Sequence, residues 1–210
     1  MVKLLLAIKH AFPWLWNVAE FINGLIFSLI TKRVSELAAV MVKNEAPEGY
    51  RFSMVREEEI PALSAFLSAI PDESLKFFTP HSFSEKALRR LWRNPSFLMM
   101  KATKTEDGTF SGYFFLRCFF VGVSVAGLIV GDEYRNRGIG TAMWESLMRI
   151  SNKLKFRMFA TISKDNIPSL KSCGNVNEMI VRKRMRNGYM LVECKEKQTI
   201  NNSIIYENND

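Results

Sequence analysis

Between Asp132 and Thr141 the chain reads DEYRNRGIGT, which places two acids, two arginines and two glycines between the apolar run VSVAGLIV and the amphipathic run that begins IGTAMWESLM. A helix starting at such a turn leaves several backbone N–H groups without intrahelical acceptors, and its aligned peptide dipoles add partial positive charge at the same point. Gly138 and Gly140 let an anion come close to the backbone, while Arg135 and Arg137 bring mobile charge beside it. The chemistry favoured is the seating of a phosphate or pyrophosphate. A strand-to-helix packing turn that needs glycine for close approach is the other reading of the same residues. Two phosphate signatures are excluded: there is no G-x-x-x-x-G-K-[ST], and the G-x-G lacks the third glycine and the later acidic residue of a dinucleotide site.

Other groups able to do chemistry are few. The cysteines are Cys118, Cys173 and Cys194 and the histidines His10 and His81, with no C-x-x-C spacing. That set predicts neither a metal site nor a disulfide framework and fits a reducing, cytoplasmic compartment. His81, in FFTPHSF, has an ordinary pKa near neutrality and suits a general base, or is a structural loop histidine. Asp132, Glu133 and the triplet Glu57-Glu58-Glu59 are further candidate bases, the triplet being equally at home in the first turn of a helix. The basic run VRKRMR falls on a predicted hairpin with alternating polar positions, the pattern of a solvated sheet face, which argues against nucleic acid as a partner.

The elements that would position these groups alternate between strand and helix. After the polar segment KNEAPEGY, YRFSMVR predicts a short strand and residues 57–69 a helix ended by Pro71. FSEKALRRLWRN predicts a second helix with Ser84 as its N-cap, and PSFLMMKATK and FSGYFFLRCFF two strands joined at Glu106-Asp107-Gly108. VSVAGLIV is a third apolar strand, followed by a helix over 138–152, the strand KFRMFATIS, a short helix near IPSLKSC and a hairpin turning at Asn187-Gly188.

At 210 residues, 48% hydrophobic and 24% charged, the chain has room for one domain of ordinary core size plus an extension. Its formal charge of +8 favours anionic partners without choosing among them. The boundaries read as 1–43 for an N-terminal hydrophobic, amphipathic helix, 44–49 for a linker, 50–195 for the domain and 196–210 for a polar tail. From Ala11 to Thr31 only Asn17, Glu20 and Asn23 are charged or amide-bearing, and Lys9, Lys32 and Arg33 bracket the stretch. Its polar and small residues, Asn17, Glu20, Gly24, Ser28 and Thr31, recur on one narrow helical stripe. That suits a helix lying in a membrane interface with the stripe in water. The alternatives are a helix packed on the domain or on a second copy in a homodimer, and a true span, since the length reaches across a hydrocarbon core of ~30 Å.

The segment LIVGDEYRNRGIGTAMWESLM resembles the acetyl-CoA-binding motif of the GNAT superfamily of N-acetyltransferases, [QR]-x-x-G-x-[GA] after a hydrophobic strand, here Arg135-Asn136-Arg137-Gly138-Ile139-Gly140. Downstream, ATISKDNIPSLKS resembles the family's next signature, a strand followed by N-x-x-[AS], with Asn166 and Ser169 at the matching positions. The order of predicted elements over roughly residues 50–195 is also the family's. This resemblance implies an α/β GNAT acyl-CoA N-acyltransferase fold, a mixed central sheet flanked by helices, here carrying an N-terminal amphipathic helical extension. It implies acetyl-CoA as cofactor and a small-molecule amine as acceptor.

By the same resemblance, Arg135, Asn136, Arg137, Gly138, Ile139, Gly140 and Thr141 form the diphosphate cradle. Leu128, Ile129 and Val130 pair through their main chain with the pantetheine arm, and an N–H near Ile129 or Val130 serves the oxyanion. KFRMFATIS is expected to splay from that strand and open a V-shaped slot, with Asn166 on the cofactor arm, and His81 lies in a loop that borders the acceptor in this family. The chain departs from the pattern where many members carry an acidic tyrosine seven residues after the motif asparagine; Cys173 stands there, either as a thiol proton donor or as a small buried side chain. The usual GF after that helix is replaced by GNVNEMIV, unless Gly188-Tyr189 takes its place. Aromatics such as Phe77, Phe78, Phe83, Trp92 and Phe97 either form an aromatic core or stack on an amino sugar or nucleotide-sugar of surface-polysaccharide synthesis, at the inner face of a membrane if residues 1–43 lie there; protein N-termini or lysines, polyamines and antibiotics are the other acceptors left open. The rival reading is a non-catalytic CoA-binding, membrane or nucleic-acid adaptor with a GNAT-like fold.

Overall fold

A computed structural model describes residues 13–30, 34–42 and 46–197. His10 and the tail from residue 198 onward lie outside the described residues. Seven strands form one sheet: β1 (Tyr50–Met54), β2 (Phe97–Lys104), β3 (Phe110–Phe119), β4 (Val123–Val130), β5 (Arg157–Ser163), β6 (Asn177–Arg184) and β7 (Tyr189–Glu196). Their spatial order is β1-β2-β3-β4-β5-β7-β6, and every neighbouring pair is antiparallel except β4 and β5, which run parallel. The helices are α1 (Pro13–Ile30), α2 (Val34–Val42), α3 (Ile60–Ala69), α4 (Asp72–Leu75), α5 (Glu85–Trp92), α6 (Ile139–Lys153) and α7 (Ile167–Val176). This is the mixed sheet flanked by helices that the sequence predicts.

Strand alternation sends side chains to two cores. Leu98, Met100 and Ala102 of β2 and Phe114 and Leu116 of β3 pack on one face with Met143, Trp144 and Leu147 of α6. Phe97 and Met99 of β2, Tyr113 and Phe115 of β3 and Ile129 of β4 pack on the other, against Leu63 and Leu67 of α3 and Leu88 of α5. The period of two along a strand makes this division, so a single buried strand can serve both layers. The parallel step at β4 and β5 needs a crossover, which α6 supplies across the first face. Ser84 caps α5 through Ala87 N, as its residue type leads one to expect.

Helices α1 and α2 lie on the domain. Ala38 and Val42 of α2 and Phe27 of α1 join the first core. Asn23 Nδ2 donates to Ser96 Oγ at 3.0 Å and to the Cys118 carbonyl at 2.9 Å, and Asn23 Oδ1 accepts from Phe120 N at 3.1 Å. Gly24 is buried beside it, where an added Cβ would stand 2.7 Å from Asn94 Oδ1. The expected water-facing stripe therefore turns inward at Gly24, because the neighbouring amide finds strand and loop partners there. Among the described residues no helix is long and apolar enough to cross a membrane.

Candidate functional site

The parallel pairing of β4 and β5 begins at Val123 opposite Arg157 and ends at Ala126 opposite Ala160. Both strands continue, to Val130 and Ser163, so their C-terminal halves part. The register against β3 tells which backbone groups face the gap. Gly131 N donates to Ser111 O at 2.9 Å, making that opposed pair a hydrogen-bonded one. Tyr113 opposite Ile129 is then hydrogen-bonded as well, while Gly112 opposite Val130 and Phe114 opposite Leu128 are not. Leu128 and Val130 thus turn their N–H and C=O away from β3, into the gap, whereas the N–H of Ile129 is consumed within the sheet. Gly127 makes room for the Phe115 ring, which an added Cβ would meet at 2.5 Å.

At the end of β4 the chain makes a short 3-10 turn, Asp132–Tyr134, then two left-handed residues, Asn136 (φ 60) and Gly138 (φ 79), and enters α6. Gly138 is the N-cap and offers no capping side chain, and the first turn of α6 holds no acid. Ala142 N to Gly138 O, 3.0 Å, is the first bond of the helix, which leaves the N–H groups of Ile139, Gly140 and Thr141 without intrahelical acceptors. Gly140 has ordinary backbone angles; a Cβ on it would point between Val130 Cγ2 at 3.8 Å and Ser172 Cβ at 3.9 Å. Arg135 pairs with Asp132 at 2.8 Å, and Asp132 also accepts from Ser74 Oγ at 2.8 Å, tying the segment after α3 to the turn. Arg137 points elsewhere: it donates to Tyr50 Oη at 3.2 Å and to Glu133 O at 3.1 Å, bracing the turn against β1.

These elements enclose a cleft of about 760 Å³. Its walls are residues 127–130 of β4, 134–136 and 138–141 of the turn and α6, 160–162 of β5, and one face of α7. On α7, Asn166 uses its amide oxygen to cap the helix through Ser169 N at 3.2 Å, which leaves its amide N–H free of that duty at the cleft wall. Trp144 of α6 also contributes to the wall; it is 2% exposed, and its indole N–H has no hydrogen-bond partner among the described residues. An uncapped helix start and two free strand edges together suit a ligand with an anionic end and an extended amide-bearing arm.

Of the residues singled out from the sequence, Leu128, Ile129, Val130, Arg135, Asn136, Gly138, Ile139, Gly140, Thr141, Asn166 and Ser169 are brought together in this cleft. Arg137, His81 and Cys173 are not among its walls. His81 sits in an aromatic cluster with Phe83, Phe97, Tyr113 and Phe115. Its Nδ1 lies 3.0 Å from the Ser82 carbonyl, which can only accept, so Nδ1 carries the proton and Nε2 accepts from Tyr113 Oη at 3.1 Å. Both nitrogens are engaged, and burial holds the imidazole below its ordinary pKa. Cys173 is fully buried, with Sγ 3.6 Å from Cys194 Sγ and 3.7 Å from Asn177 Nδ2, on the side of α7 that faces the core. The glutamate triplet is spent on ion pairs: Glu57 with Arg89 and Arg93, Glu58 with Arg56, Glu59 with Lys101.

The cleft also holds residues that sequence reasoning passed over. Ser172 and Asn175 follow Ser169 at intervals of three on the exposed face of α7, a periodic signal present in the sequence. Lys76 also lines the cleft, beside Phe77 and Phe78, which the sequence singles out as acceptor-side aromatics; Tyr189 Oη donates to the Lys76 carbonyl at 3.3 Å, a contact between distant segments that no local pattern announces.

Comparison with known proteins follows the same outline. The family model described as "Acetyltransferase (GNAT) family" matches residues 66–173. Among solved structures, the chain is similar to the GNAT domain of S. lividans PAT, at 17% identity over 69% of this chain and 89% of that one, with a TM-score of 0.58. It is similar to the ribosomal-protein-S5-alanine acetyltransferase of Vibrio fischeri at 11% identity, over 72% of this chain and 95% of that one, with a TM-score of 0.60. It is also similar to AAC(6')-Ib, solved in complex with paromomycin and acetyl-CoA, at 11% identity over 75% of this chain and 98% of that one, with a TM-score of 0.57. At these identities the likeness is one of fold. No curated protein matches the sequence.

Proposed function

The chain belongs to the acetyltransferase (GNAT) family, and from that premise we propose that it is an acetyl-CoA-dependent N-acetyltransferase acting on a primary amine. The observation that carries this reading is the parting of β4 from β5 beside an uncapped, glycine-bearing helix start. Acetyl-CoA supplies the activated acyl group as a thioester. The N–H groups of Ile139, Gly140 and Thr141 hold its diphosphate, with Arg135 adding charge from the turn. The free edges of Leu128 and Val130 would align the amide-bearing arm, as an added strand would, and the Val130 N–H would donate to the thioester carbonyl oxygen as charge develops on it. The Asn166 amide N–H would supply a further donor at the wall. With Cys173 in the core, water in the open cleft would take up the proton the amine loses and supply the one the departing thiolate gains.

The preferred acceptor is an amino sugar or nucleotide-sugar, a reading supported by Phe77 and Phe78 on the cleft wall, whose rings suit a sugar or base face. Contact of residues 1–43 with a membrane surface belongs to the same reading. Calorimetric titration with acetyl-CoA, followed by thiol release in the presence of a panel of amines, tests the proposal. Saturable binding with amine-dependent thiol release is expected; failure to bind acetyl-CoA would end the enzymatic reading.

A further inference from the structure

Helix α1 is amphipathic in the opposite sense to an ordinary surface helix. Among its described side chains the buried ones are Asn23, Gly24 and Phe27, and the exposed ones include Phe21 at 70%, Leu29 at 65%, Leu25 at 52%, Ile22 at 47% and Val18 at 43%. At ~100° per residue these five lie within about 60° of one direction, and the buried three lie on the opposite side. The tight turn between β3 and β4, held to α1 through Asn23, adds Phe120 at 48% and Val121 at 66% exposure. A groove of about 570 Å³ runs between α1 and α5, with Phe21, Leu25 and Leu91 on its walls and Arg90 and Arg93 beside them. An apolar ridge of this kind marks an interaction surface.

We propose that the outer face of α1 and its groove against α5 dock on an anionic lipid bilayer, the apolar ridge entering the acyl region and the α5 arginines taking lipid phosphate. The inference rests on the membrane contact in the reading above and assigns it a surface and a lipid class. Charge decides between a bilayer and a second copy of the chain. Lys86, Arg89, Arg90 and Arg93 stand against Glu85 on and just after α5, and Lys9, Lys32 and Arg33 flank α1 in the sequence. Glu57 answers Arg89 and Arg93, while Arg90 is exposed and makes no ion pair among the described residues. A two-fold dimer through this face would set the arginine row against its own copy, where like charges repel. Anionic headgroups meet the same row with opposite charge, and guanidinium groups bind phosphate in a planar, bidentate manner. With its domain side pinned by Asn23, α1 can lie in the interface plane and keep its depth shallow.

The test is flotation of the full chain with phosphatidylcholine vesicles and with vesicles in which part of the lipid is phosphatidylglycerol. The expected result is binding to the anionic vesicles that falls as salt rises. Replacing Phe21, Leu25 and Leu29 by serine is expected to weaken that binding by about tenfold or more, and Arg90→Glu to weaken it only on the anionic vesicles. All four side chains are surface-exposed, so unchanged acetyl-CoA affinity and melting temperature check that the variants are folded. Since cofactor binding is measured on the same samples, loss of docking and loss of the acetyltransferase reading are told apart. Equal flotation of wild type and triple variant, or none with either vesicle, overturns the proposal. So does a dimer in sedimentation that the triple variant abolishes while vesicle binding stays absent, which would assign the ridge to a second copy.

Discussion

Replacing Gly140 is expected to stabilise the fold while it damages the cleft. The residue lies at the second position of α6 with ordinary backbone angles, so alanine there carries no conformational penalty, and removing glycine from a helix is worth about 0.5–1 kcal/mol. The added methyl meets Val130 Cγ2 at 3.8 Å and Ser172 Cβ at 3.9 Å, both ordinary contacts. For a chain of this size about 1 kcal/mol corresponds to a rise of roughly 2–4 °C in melting temperature. Valine places two further carbons in the space between β4 and α7, over the N–H groups argued to hold the diphosphate. Loss of one hydrogen bond to a charged group costs about 1.5–3 kcal/mol, or about 10- to 100-fold in Kd. Calorimetry of unfolding and titration with acetyl-CoA read the two quantities separately. The expected pattern is Gly140→Ala more stable with modestly weaker binding, and Gly140→Val at least tenfold weaker with the fold intact. Unchanged affinity in Gly140→Val would refute the cradle, and parallel loss of stability and affinity would make this a packing glycine.

Three further outcomes are expected. Glu193, whose side chain is 3% exposed, is held by Arg157 and Arg182, and its carboxyl is lowered to about 2 from an ordinary value of 4.5, chiefly by the Arg157 hydrogen bond. Its stabilisation is therefore present above pH 4.5 and lost as pH falls toward 2, and Glu193→Gln should cost about 1.5–3 kcal/mol in neutral urea titrations and flatten the acid limb. His81 is held neutral by burial, so the unfolded chain binds the extra proton, and stability should fall as pH drops below about 6.5; His81→Gln should remove that dependence in melting curves between about pH 7.5 and pH 5.5. Cys173→Ser puts a shorter-reaching hydroxyl into a fully buried site beside Cys194 Sγ and Asn177 Nδ2 and should cost about 1–3 kcal/mol of stability while leaving acetyl-CoA affinity unchanged and kcat within about twofold. A hundredfold fall in kcat in a folded Cys173→Ser protein would return the thiol to the catalytic step.

Much of the site was legible because its signals are local. The glycines and the absence of a capping side chain at the start of α6, the apolar run of β4, and Asn166 with Ser169 at the head of α7 are all read within a few residues of themselves. The fold followed from period and punctuation: two-residue alternation in β2 and β3, Ser84 as a cap, Pro71 as a stop, Asn187-Gly188 at a hairpin. His81, Cys173 and Arg137 were less legible, since residue type alone says what a group can do and is silent on which partner consumes it. Tyr113 takes the free nitrogen of His81, the first core encloses Cys173, and Tyr50 draws Arg137 from the cleft.

The sequence by itself determined that a helix with free N–H groups would follow an apolar strand, because helix starts and strand periods are set by neighbouring residues. Only the tertiary structure decided that Leu128 and Val130, and not Ile129, turn their backbone edges into the gap, since that depends on the register against β3. It likewise decided which way α1 faces. A stripe of polar residues reads the same whether water or protein satisfies it. Ser96, the Cys118 carbonyl and the Phe120 N–H, some seventy to a hundred residues away, claim the Asn23 amide and thereby turn the apolar side of the helix outward.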